Sequence, residues 1–421
     1  MVKLLIIADD FTGALDTGVQ FAARGAATRV VTDLAYDFTL ADAEVLVMVA
    51  ETRHLPPEEA YDVVYRTARN AREAGIPYIY KKTDSALRGN IGSELTAVMD
   101  AAGSDTIAFL PAFPKMGRVT RNGVHYVDGV PVAESVFGKD PFEPVKASAV
   151  AQIVGGQTEV PVVLHRLDEA AVPGAPGIQV YDATTDEDLA RIGGELGTER
   201  LRLSAGCAGF ATALANVLGL NGTEPQMPQL PSAFFVACGS VNPVTLRQMR
   251  WAEQNGFVHI HLEPVQKLEP AWLESEDCGI KIRIWLEQAR NSGRCILDVN
   301  DPMGLDDTAV YAKTHGLTTE DLRVRISTQL AHLMKRLLDG GLDAAILCTG
   351  GDTLLALMRT VGTAELTPVR ELTTGAVLTN FVYRGKTYYI ISKSGGFGEP
   401  DLFCKLAAFV RAGSQKEDAV C

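Results

Sequence analysis

Short apolar runs alternate with stretches in which apolar residues recur every three or four positions. Leu4–Ala8, Arg29–Val31, Val45–Ala50, Tyr78–Tyr80 and Thr106–Leu110 read as strands, and Ala14–Arg24, Pro57–Ala74 and Ile91–Ala102 as helices. Pro57–Ala74 opens with proline and two acids, a helix start signal. This rhythm predicts a mainly parallel sheet with helices on its faces. The pattern breaks at RNGVHYVDGVPV, where turn signals at Asn122-Gly123 and Asp128-Gly129 flank an alternating run and predict a hairpin excursion. Strand and helix signals resume from Val160 to Leu218.

The segment GLNGTEPQMPQLPS, Gly219–Ser232, lacks periodicity and is rich in glycine, proline, asparagine and glutamine, so it reads as a linker. Alternation then restarts, with strands at Ala233–Ala237, Val258–Leu262, Cys295–Val299 and Ala344–Cys348. Helices are expected over Val244–Asn255, Ile280–Asn291 and Asp321–Leu338. The reading is α/β, with two lobes covering 1–224 and 225–421, each a mainly parallel sheet flanked by helices, and a ligand cleft between them.

Composition narrows this picture. With 421 residues the chain is too long for one simple core. Hydrophobic residues at 47% and charged residues at 22% describe an ordinary globular protein, and no apolar run is long enough to span a membrane. MVKLLIIADDFTG meets two aspartates before an export-type apolar core develops, so no signal peptide is read and a cytoplasmic location is expected. Seven cysteines without a CxxC pair fit reduced thiols. A net charge of −13 argues against a nucleic-acid partner, and an anionic substrate would need a local basic pocket.

Parallel sheets bind ligands at the carboxyl ends of their strands. Four predicted strands of the first lobe run into polar clusters: Asp9-Asp10-Phe11-Thr12-Gly13, Glu51-Thr52-Arg53, KKTDSALRGNIGSEL from Lys81, and PAFPKMGRVTRNG. Singly, each has a bland explanation, since Asp10 or Thr12 could cap a helix and Lys81-Lys82 could be a solvated strand end. Together they suggest a site. Arg53 and the lysines suit a carboxylate or phosphate, while Asp9, Asp10 and Asp84 could accept hydrogen bonds from sugar-like hydroxyls or take a proton from one. Lys82, Asp84, Ser85 and Arg88 read as a grip on a polyhydroxy acid.

The second lobe carries three glycine-rich turns: CGSVNPVT at 238–245, CTGGDTLLA at 348–356 and SKSGGFGEPD at 392–401. Glycines let backbone approach a phosphate, and a helix N-terminus offers amides of positive dipole. Gly350-Gly351-Asp352-Thr353 is the sharpest, opening a helix over Leu354–Arg359, although it could be a capped turn. Gly385-Lys386-Thr387 is not a P-loop, because Asn380 stands where its first glycine belongs and Arg384-Gly385 reads as a hairpin turn. Gly396-Phe397-Gly398 lacks the third glycine of a dinucleotide fingerprint. His259 and His261 share a strand face and read as structural; no histidine spacing indicates a metal site.

ADDFTGALDTG, KKTDSALRGNIGSEL, PAFPKMGRVTRNGVHYVDGVPV, CTGGDT and ELTTGAVL…SKSGGFG, taken in order along nearly the whole chain, resemble the four-carbon acid sugar kinase family. The resemblance implies an N-terminal sugar-acid domain, a C-terminal nucleotide domain, and phosphorylation of a tetronate such as D-threonate, D-erythronate or 3-oxo-tetronate by ATP. It implies substrate contacts at Asp9 or Asp10, Arg53, Lys82, Thr83, Asp84 and Ser85. It implies nucleotide contacts at Ser240, Gly350, Gly351, Asp352, Thr353 and Gly396, with Gly395 in the same turn. Asp16-Thr17-Gly18 looks more like the threonate-type members than the 3-oxo-tetronate type.

The expected reaction moves a phosphoryl group from ATP to the terminal hydroxyl of the sugar acid, with Mg2+ neutralising charge; no motif assigns the metal's ligands. Arg53, Lys82 and Arg88 would hold the substrate carboxylate. Asp84, fixed by Lys82 and Ser85, would orient or deprotonate the hydroxyl, with Asp9 second. The partners expected are the sugar acid and ATP, without nucleic acid or membrane; a small homo-oligomer suits such an enzyme. The competing readings are a sugar-acid sensor with a regulatory nucleotide lobe, and a nicotinamide-dependent oxidoreductase, which the missing fingerprint disfavours.

Overall fold

The structure, a computed structural model, describes residues 1–140, 143–171, 175–394 and 396–414. It divides into two compact units, Met1–Pro225 and Gln226–Cys421.

In the first unit, β1 (Leu4–Ala8), α1 (Phe11–Ala22), β2 (Thr28–Val31) and β3 (Val45–Val49) are followed by α2 (Pro57–Glu73) and β4 (Tyr78–Lys82). The alternation continues through α3 (Ile91–Ala102) and β5 (Thr106–Leu110). An antiparallel excursion comes next: β6 (Arg118–Arg121), β7 (Val124–Val127) and β8 (Val130–Pro131). The sequence predicts one hairpin there; two tight turns make three strands, because Asn122 and Asp128 both adopt left-handed φ, 52° and 49°, ahead of glycine. The helix α4 (Val150–Gly155), β9 (Val162–His165), β10 (Gly177–Tyr181), α5 (Asp186–Arg200), β11 (Leu203–Gly206) and α6 (Ala208–Val217) complete the unit.

Its main sheet runs β2-β3-β1-β4-β11-β5-β10-β9, and all these pairs are parallel. Because β1 is flanked by β3 on one side and β4 on the other, the winding reverses direction there. Such a switch point leaves a crevice outside the strands' carboxyl ends. Leu5, Ile7, Leu46, Met48 and Ile79 pack with Val64 and Ala68 of α2 and Leu95 and Val98 of α3, which fixes the sheet beneath that crevice.

Two boundaries matter for the chemistry. The sequence starts α1 at Ala14, yet Asp10 is the N-cap and accepts from the amide of Gly13, so the helix begins at Phe11. The sequence ends β4 at Tyr80, yet Lys81 and Lys82 continue the strand, both fully or nearly buried. Period two sends their side chains to opposite faces, where each meets carboxylates.

The second unit begins with β12 (Phe234–Cys238), α7 (Pro243–Gln254), β13 (Val258–His261), α8 (Pro264–Leu268), α9 (Glu276–Ser292) and β14 (Arg294–Asp298). It continues with α10 (Asp307–Thr314), α11 (Thr319–Asp339), β15 (Ala345–Thr349) and α12 (Gly351–Val361). The strands β16 (Glu365–Thr373), β17 (Ala376–Tyr383) and β18 (Lys386–Lys393) form a meander, and α13 (Leu402–Ser414) closes the unit. The order is β13-β14-β12-β15-β18-β17-β16, parallel from β13 to β18. The expected turn at Arg384-Gly385 is the β17–β18 hairpin. Phe234, Val236, Leu347 and Ile391 pack with Met249 and Ala252 of α7 and with Phe403 and Val410 of α13. Again the first strand, β12, lies between the third and the fourth.

Candidate active site

The first crevice is built of charge. Val49 of β3, Ala8 of β1 and Lys82 of β4 stand in register, so Asp9 and Asp10 emerge beside both neighbouring strand ends. Asp9 takes Arg53 Nε on one oxygen at 2.8 Å and Lys82 Nζ on the other at 2.9 Å. Asp10 Oδ1 takes Lys82 Nζ at 3.1 Å and Arg53 Nη2 at 2.6 Å. Asp84 is clamped by Arg88, with Nε at 2.9 Å and Nη2 at 3.0 Å, and its Oδ2 also accepts from the amides of Ala86 and Arg88. Arg53 Nη2 reaches Asp84 at 3.6 Å. A Cβ on residue 13 would lie 2.0 Å from Lys82 Nζ, so Gly13 lets the lysine pass the first turn of α1.

The expected basic pocket is therefore charge-balanced at its centre, with Asp9, Asp10 and Asp84 facing Arg53, Lys82 and Arg88. Asp140 adds a further carboxylate, 3.2 Å from Arg88. The physical reason is burial, because cations this deep need counter-charges. Asp84 is also fixed differently from expectation: Arg88 and Arg53 hold it, while Lys82 serves Asp9 and Asp10. Burial pushes the Asp84 carboxyl upward, but Arg88 and Arg53 outweigh it and hold the group well below the usual range. Asp9 is depressed in the same way by Arg53, Lys82 and Lys81. Lys82 is raised, its own desolvation being overcome by Asp10 and Asp9.

Supports behind the cluster escaped the sequence reading. Lys81 pairs with Glu94 of α3 at 2.9 Å, both buried, and Thr52 donates to Glu94. Asn90 donates to the carbonyls of Thr52 and Leu55, tying the β3 and β4 ends together. His125 bonds the carbonyl of Ser85 at 2.9 Å and Thr120 at 3.0 Å, and burial lowers it to about 4, so it is neutral. Leu87, in the same loop, sits at φ 62°, a strained position for a bulky side chain. Thr83 is fully buried between Lys82 and Asp84.

The second crevice is built of backbone. The three glycine-rich turns follow β12, β15 and β18, which are adjacent strands. The Gly239 amide donates to Thr349 at 3.2 Å, and a Cβ on residue 239 would fall 1.9 Å from the Thr353 hydroxyl. Gly350 is the N-cap of α12 at φ 96°, and no side chain caps that end, whereas Asp10 caps α1. An uncapped N-terminus presents amides to an anion. Ser240 is nearly buried, its hydroxyl accepting from the Asn242 amide. A Cβ on Gly396 would lie 3.8 Å from Asn242, and Gln248 of α7 donates to the carbonyls of Phe397, Gly398 and Glu399. The turns thus meet around the N-termini of α7 and α12. Asp352 faces Arg323 of α11 at 2.9 Å; Gly395 lies outside the described residues.

Asp9, Asp10, Arg53, Lys82, Thr83, Asp84, Ser85 and Arg88 are thus gathered at one sheet edge, and Ser240, Gly350, Gly351, Asp352, Thr353 and Gly396 at another. His259 and His261 share a face as expected and are joined by Asp298, their potential ligand atoms all lying within 4.8 Å of one another. His259 bonds Asp298 at 3.0 Å and, despite burial, is raised by Asp298 and Glu253. A recess lined by Arg72, Ile79, Thr106, Arg202 and Leu203 opens at the opposite, amino-terminal sheet edge and contains none of the cluster. No helix among the described residues is long and apolar enough to cross a membrane.

Known proteins fit this division. A sugar-binding N-terminal domain family matches residues 4–214, and a nucleotide-binding C-terminal domain family matches residues 235–403. D-threonate kinase of Salmonella typhimurium is 30% identical, over 97% of this chain and 98% of that protein. D-erythronate kinase of Heliobacterium modesticaldum is 29% identical, over 96% of each. The fold matches a solved Salmonella typhimurium LT2 structure with a TM-score of 0.81 at 21% identity, over 96% of this chain and 99% of that one. The chain belongs to the four-carbon acid sugar kinase family.

Proposed function

We propose that this protein is an ATP-dependent kinase that phosphorylates the terminal hydroxyl of a four-carbon sugar acid, D-threonate or D-erythronate. The observation that carries the reading is the lattice of Asp9, Asp10 and Asp84 with Arg53, Lys82 and Arg88 at one switch point. Carboxylates fixed by cations present oriented acceptors for sugar hydroxyls, and the cations offer donors to the substrate's own carboxylate. Each cation already carries an aspartate, so the substrate shares a cation rather than meeting a bare one. Asp10 is the most accessible of the three, its side chain 24% exposed.

Asp84 is assigned the role of orienting the attacking hydroxyl, with Asp9 as the second candidate. Its depressed pKa makes it a weak base at neutral pH. That suits a loose phosphoryl-transfer transition state, where position counts more than basicity and the proton leaves late. The Gly350–Thr353 amides and Ser240 would hold the phosphates. Asp352 is the one carboxylate within residues 239–242, 349–353 and 393–396 and already faces Arg323, so these turns suit a Mg2+ ion carried largely by the nucleotide, which Asp352 would hold only by sharing with Arg323. When bound, that ion would neutralise phosphate charge.

ADP release measured against threonate, erythronate and 3-oxo-tetronate isomers tests the assignment. Turnover with a threonate or erythronate is expected. Turnover confined to 3-oxo-tetronate would move the substrate, binding without turnover would favour a sensor, and reaction with a nicotinamide cofactor in the absence of ATP would overturn the kinase.

A further inference from the structure

The glycine turns leave one charged side chain unused. Lys393 is the last residue of β18, 2% exposed, and stands in register with Thr349 of β15, the residue before Gly350. By period two it shares a strand face with Ile391, which packs in the core, so an ammonium occupies a place where an apolar group would be expected. Its Nζ donates to the Thr245 hydroxyl at 3.2 Å and to the Ser394 carbonyl at 2.9 Å. Thr245 lies in the first turn of α7, after the Gly239-Ser240 turn, and Ser394 opens the third turn. The ammonium therefore sits where all three turns come together.

We propose that Lys393 is the phosphate-binding lysine of the nucleotide site, donating to polyphosphate oxygens of the bound nucleotide. The inference rests on the reading of the second unit as a nucleotide site. It supplies from a strand end what a P-loop lysine supplies, whereas the chain's own Gly385-Lys386-Thr387 opens β18 at the β17–β18 hairpin and is not a P-loop. A buried ammonium gains most when an anion arrives, because the dianionic phosphate restores the stabilisation lost with hydration.

This has a pH signature. Burial, the first influence on Lys393, lowers it to about 8. Among the described residues, the side chains beside it include Cys238 of β12, Thr349 of β15, Ala376 of β17 and Thr245 of α7. Of these, Cys238 can titrate, but burial and then Asp298 hold its thiol far above the neutral range. A phosphate raises the lysine, so binding below pH 8 meets an ammonium already formed. Above pH 8 binding takes up a proton, and affinity falls as pH rises.

The test is calorimetric titration of the full chain with ADP at about pH 7.5 and about pH 9.5, where ADP itself no longer titrates. Wild type should bind about tenfold to twentyfold more weakly at the higher pH. Lys393→Met should bind about tenfold to hundredfold more weakly at the lower pH and lose the pH dependence, while KM for the sugar acid stays unchanged. The ligand-free Met variant should melt no lower than wild type, since a desolvated charge has gone; a merely structural tie would lower the melting point and leave the pH profile intact. Equal ADP affinity in variant and wild type at both pH values would overturn the assignment and leave the nucleotide reading standing. A wild type that binds no ADP would overturn both. Should the Met variant not fold, wild-type titrations near pH 9 in two buffers of different ionisation enthalpy decide, because absence of proton uptake would equally overturn it.

Discussion

Each unit winds its first four strands in the same order, second–third–first–fourth: β2-β3-β1-β4 in one and β13-β14-β12-β15 in the other. Both windings open a crevice at the carboxyl ends of the first and fourth strands. What lines it differs completely. After β1 and β4 come buried aspartates and cations that neutralise one another; after β12 and β15 come glycines, an uncapped helix and a buried lysine on the next strand. A small polyhydroxy acid needs donors and acceptors at fixed points, which a rigid ion lattice provides. A polyphosphate needs close backbone approach and convergent amides, which side chains would obstruct. The shared topology supplies the place and the residues at the strand ends supply the chemistry.

Substitutions on the two sides should separate accordingly. Asp84→Asn should lower turnover about 10²- to 10⁴-fold while ADP affinity stays within about twofold, measured by steady-state kinetics and calorimetry. Surviving turnover would pass the orienting role to Asp9. Gly351→Val should do the reverse, weakening ADP about tenfold to hundredfold because a branched side chain enters the phosphate's approach, with sugar-acid binding retained. Unchanged ADP affinity would count against that cradle.

A smaller effect comes from His125, which braces the Ser85 carbonyl. Its folded value near 4 lies below the unfolded value near 6.5, so the unfolded chain binds the proton first as pH falls. His125 alone should cost about 2 kcal/mol of stability between pH 7 and pH 5. His125→Gln should flatten the denaturation midpoint over that interval; an unchanged slope would mean that the ring is not held neutral.

Much of this arrangement was legible in the chain. The alternation gave β1 to β5 and β12 to β15 but not β16, and the polar residues after Leu4–Ala8, Val45–Ala50 and Tyr78–Tyr80 do converge. The glycine turns after Cys238, Cys348 and Ser392 likewise fall on neighbouring strands. Charge neutralisation was not legible, because Arg53 meets Asp9 across 44 positions and Lys82 meets it across 73, and local pattern carries no information about such pairs. For the same reason Lys81 and Lys82 read as a solvated strand end, although they lie inside β4. Lys393 could have been found: it ends the alternating run TYYIISK on the face of Ile391, and a cation on a buried face demands a reason.

Product analysis of one reaction mixture tests the central claim most directly. Incubated with ATP, magnesium and D-threonate or D-erythronate, the protein should yield one ADP per phosphomonoester, with phosphorus NMR placing the phosphate on the terminal carbon. Inorganic phosphate without a sugar phosphate, or an acid oxidised at the expense of a nicotinamide cofactor, would contradict the assignment of the two crevices to sugar acid and nucleotide.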